Sequence, residues 1–512
     1  MMIGRLFTAI LGLVSLSAAC TAAESGADSL SIFRRTMLDA SPAGTLPEAV
    51  LRNPVAMGYR QAFSLSELSI GYERDRRREA ALAQEGDGYD GFGFAARSFV
   101  RTGPKGRVFG EAGYDNGTRR NVRWNETADF ALLGPYVAAD SVGGDLKTER
   151  YRFSGGYAHT AERWSWAARL DYRAELDYRE VDPRPRNVVS DLTGSLAAAR
   201  SLGTDYRLSL AAHARKYGQR GDIAFYNDMY QATVYHMTGL GMDYVRFAGI
   251  QTSTYYAGWG VGGSVDLFPA VSEGFSASLA YDYFTFHKEM PGMNNLPMVA
   301  MVSGAARALL AYRGSAPGGT WGITARGDYR RRVGEEHLFG DPVGNVYPQI
   351  GTVNGYVDRM VYGTVSGFVA SRSTARTVWW VEPEISYFDF RADYDAAARR
   401  LAFGRWRAGI EGAAMRAWDR WMLRLGGEVA VSGKTSGDLT LPGADFGVSR
   451  IRTLRRNYDY LTDDFVRLRL EAQANYRIGG DRTIFLRGGW RRDWFRACGT
   501  TNAWSVAVGF AL

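Results

Sequence analysis

The chain has 512 residues, 13% of them aromatic, with 61 glycines and a formal net charge of +8. The glycine content lies well above the ~7% of ordinary globular chains, while only 15 prolines exclude a collagen-like or proline-rich disordered chain. The two cysteines are Cys20 and Cys498. If the first is lost with an export signal, a lone thiol excludes an internal disulfide and a cysteine-built metal site.

Residues 1–23 read as that signal. Arg5 supplies the positive start, Leu6 to Leu16 an apolar run too short to span a bilayer, and 18–23 the small residues before cleavage, expected after Ala22 or Ala23. Cys20 raises a lipoprotein alternative, although Ser17 stands where a lipobox wants a branched apolar residue. After residue 23 no apolar run approaches the ~20 residues of a membrane helix. An exported chain of this kind is either soluble or a β-barrel. Residues 24–62 are expected to form a periplasmic N-terminal segment able to plug such a barrel, and residues 63–512 the barrel itself.

The strand signal is clearest in "WSWAARLDYRAELDYR" (164–179). Trp164, Trp166, Ala168, Leu170, Tyr172, Ala174, Leu176 and Tyr178 alternate with Arg169, Asp171, Arg173, Glu175, Asp177 and Arg179. This period of two has no helical competitor. The pattern returns in "FSASLAYDY" (275–283), "WGITARGDYR" (321–330), "RWRAGIEGA" (405–413), "WMLRLGGEVAV" (421–431) and "VRLRLEAQANY" (466–476). The final stretch sets Trp504, Val506, Val508, Phe510 and Leu512 against small residues, and is expected to close the barrel against the first strand. Clean runs of this length exceed the ~5–6 residues of soluble strands and match membrane-barrel spans, with aromatics at the run ends as interfacial girdles require.

The connections point the same way. The segments 75–90, 115–150, 180–188, 216–255, 287–304, 333–358, 391–402, 433–464 and 492–503 are medium or long. They alternate with the short 102–106, 159–163, 201–205, 269–273, 314–319, 371–375, 416–420 and 478–482. The reading is all-β: a single transmembrane antiparallel β-barrel of about 18 strands (range 14–18) in the outer membrane, with long extracellular loops and short periplasmic turns.

Four stretches carry a resemblance: "NPVAMGYRQAFSLSELSIGYE" (53–73), "VRWNETADFALLGPYVAADSVGGDLKTERYRFSGGYAH" (122–159), "YRAELDYREVDPRPRN" (172–187) and "YHMTGLGMDYVRF" (235–247). They resemble an outer-membrane β-barrel family of the Bacteroidota without an established activity. The resemblance implies an outer-membrane barrel, and a TonB-dependent receptor as a companion. It carries over no catalytic residues.

The charges on the non-lipid face are the candidate site. Arg169, Asp171, Arg173, Glu175, Asp177, Arg326, Asp328, Arg330, Arg405, Arg407, Arg424, Glu428, Arg467, Arg469 and Glu471 are expected to project into the lumen, because arginine at the lipid midplane costs ~2–4 kcal/mol. They suit passage of a polar solute or an accessory role in nutrient uptake. Their mixed signs suit equally a closed, ion-paired lumen. Either way they argue against a greasy substrate path, although "NPVAMG" is similar to the hatch start of long-chain fatty-acid transporters.

Loop candidates are Asp182, Arg184 and Arg186 in "DPRPRN", where alternate prolines stiffen the backbone. Asp140 and Asp145 flank Gly143-Gly144, read as a turn rather than a calcium site. His337, near Glu335, Glu336 and Asp341, is the best candidate for a rim hydrolase, the weakest reading. No nucleophile elbow, phosphate loop or paired metal-ligand motif is present, so no enzyme, cofactor or metal is expected. Outer-membrane lipid and lipopolysaccharide are the expected surroundings, without nucleic acid.

Overall fold

The computed structural model describes residues 30–512 except 228, 230, 250–252, 271–272, 345 and 373–375. The signal, Cys20 and residues 24–29 lie outside the described residues.

Eighteen antiparallel strands form one closed sheet. They are β1 Leu65–Arg77, β2 Gly88–Arg101, β3 Gly106–Val122, β4 Gly144–His159, β5 Trp164–Tyr178, β6 Arg184–Leu202, β7 Tyr206–Ala224, β8 Thr254–Pro269, β9 Gly274–Met290, β10 Leu296–Ala316, β11 Gly319–Phe339, β12 Gln349–Ser371, β13 Thr377–Tyr394, β14 Arg399–Trp418, β15 Trp421–Thr440, β16 Phe465–Gly479, β17 Arg482–Phe495 and β18 Thr500–Ala511. Each pairs with its sequence neighbours. Closure comes from β18 against β1, where Val508 faces Ile70 and Leu512 N–H donates to the Ser66 carbonyl.

The period of two explains the wall. On β5, Leu170 is 55% exposed, whereas Ser165 and Ala167 on the other face are buried. Aromatic pairs ring the apolar face at two levels. Toward the short turns stand Tyr157–Trp166, Tyr312–Trp321 and Trp421–Tyr476, with ring centroids 5.4, 5.5 and 4.8 Å apart. Toward the loops stand Tyr72–Trp504, Tyr114–Tyr151 and Trp259–Tyr283 at 5.3, 4.8 and 5.4 Å. From Trp321 to Tyr329, and from Trp379 to Tyr387, a strand climbs ~26 Å along its length at ~3.3 Å per residue. A tilt of ~35–45° makes that ~20 Å of membrane depth between ring positions, which fits within the ~25 Å apolar band of outer-membrane barrels. The chain is an outer-membrane β-barrel.

The strands run on past this band, and β12 reaches 23 residues. This corrects the expected connections. The segment 333–358 shrinks to 340–348, and 391–402 to 395–398. The side on which connections fall alternates as expected, but 179–183 is no longer than 372–376 on the opposite side. Above the bilayer neither strand face meets lipid, so hydrogen bonding can continue without the alternation that marks a strand in sequence.

Buried apolar side chains collect at the two ends of the barrel rather than along its middle. At the short-turn end, Ile32, Phe33 and Met37 of helix α1 (Ile32–Asp39) pack with Ala370, Val378, Trp380, Met415 and Met422. Val50, Val55 and Met57 meet the inward residues of β2, β3, β5, β6, β8 and β10. At the loop end, Leu133, Tyr136, Val137, Leu240 and Phe247 pack on inward residues of β6 to β14. There a small sheet of Ala138–Ala139, Tyr235–Gly239 and Met242–Asp243 sits beside helix α2 (Ser449–Leu461).

Candidate functional site: the charged lumen and its two ends

At the short-turn end the N-terminal segment is tied to the wall by polar contacts from several directions. The first turn of α1 has no side-chain cap of its own; the Ile32 N–H donates to Asp481 of the β16–β17 turn at 2.7 Å, and Arg35 pairs with the same carboxylate. Asn53, fully inside, donates to Asp266 at 2.7 Å and to Ser209 at 3.0 Å. Tyr59 meets Ser165 at 2.6 Å. Arg313 donates to the Pro42 carbonyl at 2.7 Å and to that of Thr45. Asp39 gathers Arg97 at 2.6 Å, Arg60 at 2.9 Å and Gln61 at 2.6 Å. Burial opposes ionisation of Asp39, but the two guanidiniums outweigh it and hold the carboxyl below its usual range.

In the middle the predicted charges meet inside the barrel, and nearly all find opposite partners. Arg169 forks Asp171 at 2.7 Å. Arg173 reaches Asp129 of the 123–143 loop at 2.6 Å, Glu175 at 2.8 Å and Asp191 at 3.2 Å, and Asp191 also takes Arg215 at 2.8 Å. Glu175 is held by Arg150 at 2.7 Å, and Asp177 pairs with Arg119. Arg326 forks Asp328 at 2.7 Å. Across β13 to β16, Arg407 bridges Glu384 (2.7 Å) and Glu428, while Arg469 spans Glu411 (2.8 Å), Glu428 (3.2 Å) and Glu471 (3.7 Å). Arg424 stands 3.9 Å from Glu471, and Arg467 forks Asp493 at 2.7 Å. Arg405 is different. It donates to the Asp463 carbonyl at 2.8 Å and to that of Leu461, satisfying acceptors at the end of α2. A cavity of about 680 Å³ lies among these groups, lined by Arg97, Arg169, Arg173 and Arg215 with Glu111 and Asp171.

The loop end is a packed cap. Tyr136 donates to Glu336 at 3.0 Å, Tyr217 to Asp129 at 2.8 Å, and Tyr256 to the Tyr136 carbonyl at 3.0 Å. Arg179 binds Glu126 at 2.8 Å and Asp140 at 3.3 Å, and all three side chains are buried. Burial and then Asp140 push Glu126 well above the usual carboxyl range. Asp140 is held low despite burial by hydrogen bonds from Glu126 and from the Gly143 and Val142 N–H groups, and by Arg179.

Several loop readings need correction. Arg184, Arg186 and Asp145 lie in strands β6 and β4, not in loops, because those strands outrun the bilayer. Asp182 is in the loop. It takes Arg184 at 2.7 Å and the Tyr226 and Asn227 N–H groups at 2.7 and 2.8 Å. Arg186 is exposed, whereas Asp145 accepts from Arg120 and from the Asn121 N–H. Asp140 caps a turn in which Gly143 and Gly144 adopt φ of +70° and +146°, conformations that favour glycine. Among the described residues no cluster of His, Cys, Asp or Glu could hold a metal. His337 is a buried residue of β11, with Nδ1 at 2.6 Å from the Pro297 carbonyl, rather than a loop histidine.

The sequence reading missed an apolar chamber beneath the cap. Its cavity of about 370 Å³ is lined by Tyr356, Phe388, Phe390 and Phe403 from the wall and by Trp124 and Leu240 from the loops. A signal was present. On β13 the inward positions run Glu382, Glu384, Ser386, and then turn aromatic at Phe388 and Phe390. The wall is charged at mid-height and greasy above the girdle.

Among solved structures the chain is similar to the ferric preacinetobactin receptor BauA of Acinetobacter baumannii (10% identity, TM-score 0.40, covering 88% of this chain and 80% of that one). It is similar also to the toluene transporter TbuX of Ralstonia pickettii (11%, 0.31, 94% and 97%) and to the monoaromatic hydrocarbon channel CymD (10%, 0.31, 91% and 92%). No curated protein matches it. Residues 54–512 match the family of unknown function DUF6850, and the chain belongs to that family.

Proposed function

We propose that this barrel passes a small polar solute across the outer membrane, and that residues 30–62 are its releasable periplasmic closure. The observation that carries the reading is the charged cavity of about 680 Å³ midway along the lumen, between the N-terminal segment and the cap. A wall of paired Arg and Asp/Glu, with arginine in modest excess, offers a polar molecule hydrogen bonds at many points. Closure at both ends favours regulated opening, which suits an accessory of a nutrient-uptake system with a TonB-dependent receptor as companion. The second reading, a closed interaction barrel, draws support from the same ion pairing. The rim-hydrolase reading loses the histidine on which it rested.

Planar-bilayer recordings separate the two. The intact chain is expected to conduct little. Asn53→Ala combined with Arg313→Ala removes ties that hold the segment, and is expected to raise conductance severalfold while the barrel stays folded. Silence in both proteins favours the closed barrel and ends the passage reading.

A further inference from the structure

The chamber under the cap has a chemistry that differs from the rest of the lumen, and its argument does not depend on passage. Its floor is made of inward residues of β12 to β14, with Tyr356, Phe388, Phe390 and Phe403 presenting rings. Phe388 and Phe390 each stand within 5.8 Å of Phe403, ring centre to ring centre. The roof is Trp124, Leu240 and, from α2, Leu454. A predominantly apolar enclosure of a few hundred Å³ with a few convergent polar groups is the usual make-up of a small-molecule site.

Beside the neutral Gln84 and Asn457, the charged groups are mostly cationic. Arg330, Arg332 and Arg450 line the chamber, and Glu85, an exposed residue, is the one acid among its lining residues. Two of the arginines are already engaged. Arg332 donates to Asp358 at 2.8 Å, and Arg450 pairs with Asp243 at 3.2 Å. Arg330 has only a distant approach, 3.9 Å, to the same Asp358, and its buried Nε finds no hydrogen-bond partner. Asp358 gives its Oδ2 to Arg332 and keeps a buried Oδ1 without a hydrogen bond, so one carboxylate faces two guanidiniums and a surplus positive charge remains at the edge of an aromatic cavity.

We propose that this chamber binds a small amphipathic anion: a compact apolar, preferably aromatic, body with one anionic group. The body lies against Phe388, Phe390 and Phe403, where ring contacts favour an aromatic partner. The anion lies against Arg330, whose guanidinium forms a charge-assisted hydrogen bond to it. A neutral hydrocarbon leaves the arginine unmet, and a polar sugar or inorganic ion leaves the rings unmet. Discrimination therefore needs both halves of the ligand.

The test uses the full-length protein in nanodiscs, with calorimetry as the readout and heat-modifiable gel migration as the check on folding. The probes are 4-phenylbutyrate and its uncharged counterpart 4-phenylbutanol. Saturable binding of the acid, roughly tenfold or more tighter than the alcohol, is expected from one charge-assisted bond. Arg330→Gln is expected to remove that preference while leaving alcohol binding unchanged. Ala131→Trp, which fills the chamber from the roof, is expected to weaken both. Equal affinity for acid and alcohol, or an unchanged preference in Arg330→Gln, overturns the role of the arginine. Undiminished binding in a folded Ala131→Trp protein, or no saturable binding of the acid to the folded wild type, overturns the site.

Discussion

Glu126, Asp140 and Arg179 show how a single buried proton can hold a loop. Two carboxyls in contact with one guanidinium and little water cannot both ionise cheaply, so Glu126 keeps its proton beside the ionised Asp140. An acid whose folded pKa is raised contributes full stability below its unfolded value, here 4.5, and loses that contribution as pH climbs toward the folded value. Asp140, with a lowered pKa, works in the opposite sense, but only below about its ordinary 3.8. Above pH 4.5 the Glu126 contribution therefore governs, and the cap is expected to loosen with rising pH. Hydrogen exchange across residues 123–143 measures this. Exchange should accelerate as pH rises beyond its intrinsic dependence, and Glu126→Gln should flatten that excess. A slope that is the same in both proteins would refute the shared-proton account.

At the scale of the strand, the inward face of β16 shows why ion pairs, rather than single charges, are the unit of this lumen. Arg467 and Arg469 are two residues apart on one face and serve acids on four strands: Asp493 of β17, Glu471 of their own strand, Glu428 of β15 and Glu411 of β14. Replacing both by Glu turns these attractions into repulsions inside a half-buried cluster. The expected loss is roughly 1–3 kcal/mol, read as a lower temperature at which the barrel converts to the slow-migrating unfolded band. Conversion at the wild-type temperature would mean that the pairs are screened and contribute nothing. The extensions of β11 to β14 above the band carry a second lesson. On β12 to β14 the inward face there turns to aromatic rings while β11 keeps Arg330 and Arg332, and α2, whose C-terminal carbonyl is held by Arg405, roofs the space they enclose.

For the whole molecule, antiparallel closure puts all even-numbered turns on one side of the membrane. An impermeant thiol reagent applied to intact cells is expected to label Val343→Cys in the 340–348 loop and to miss Ala316→Cys at the β10–β11 turn. Native Cys498 should react slowly at neutral pH, because burial and then the nearby Asp463 push its thiol up to about 12. Labelling at 316 but not 343 would invert the topology.

The period-two pattern, together with the alternation of connections, was enough to specify the barrel, a strand number of about 18 within a range of 14–18, and which face meets lipid. The reason is physical: over a ~25 Å band every outward side chain touches hydrocarbon and every inward one does not, so Trp321 to Tyr329 and Val466 to Tyr476 have no other legible reading. Placement of Arg169, Asp171, Arg467 and Arg469 inside follows from the same constraint. Their partners do not, because cross-strand neighbours such as Glu411 and Arg469 are set by register and closure. The strand extensions were hidden where the lipid ends, and this is why Arg184, Arg186, Asp145 and His337 read as loop residues. A plugging N-terminal segment was expected from the sequence, but its contacts, and the cap at the other end, were decided by tertiary structure alone. Asn53 and Asp266 are far apart in the chain, and so are Phe403 and Trp124; only a closed cylinder, with a segment and two loops turned into it, brings them together.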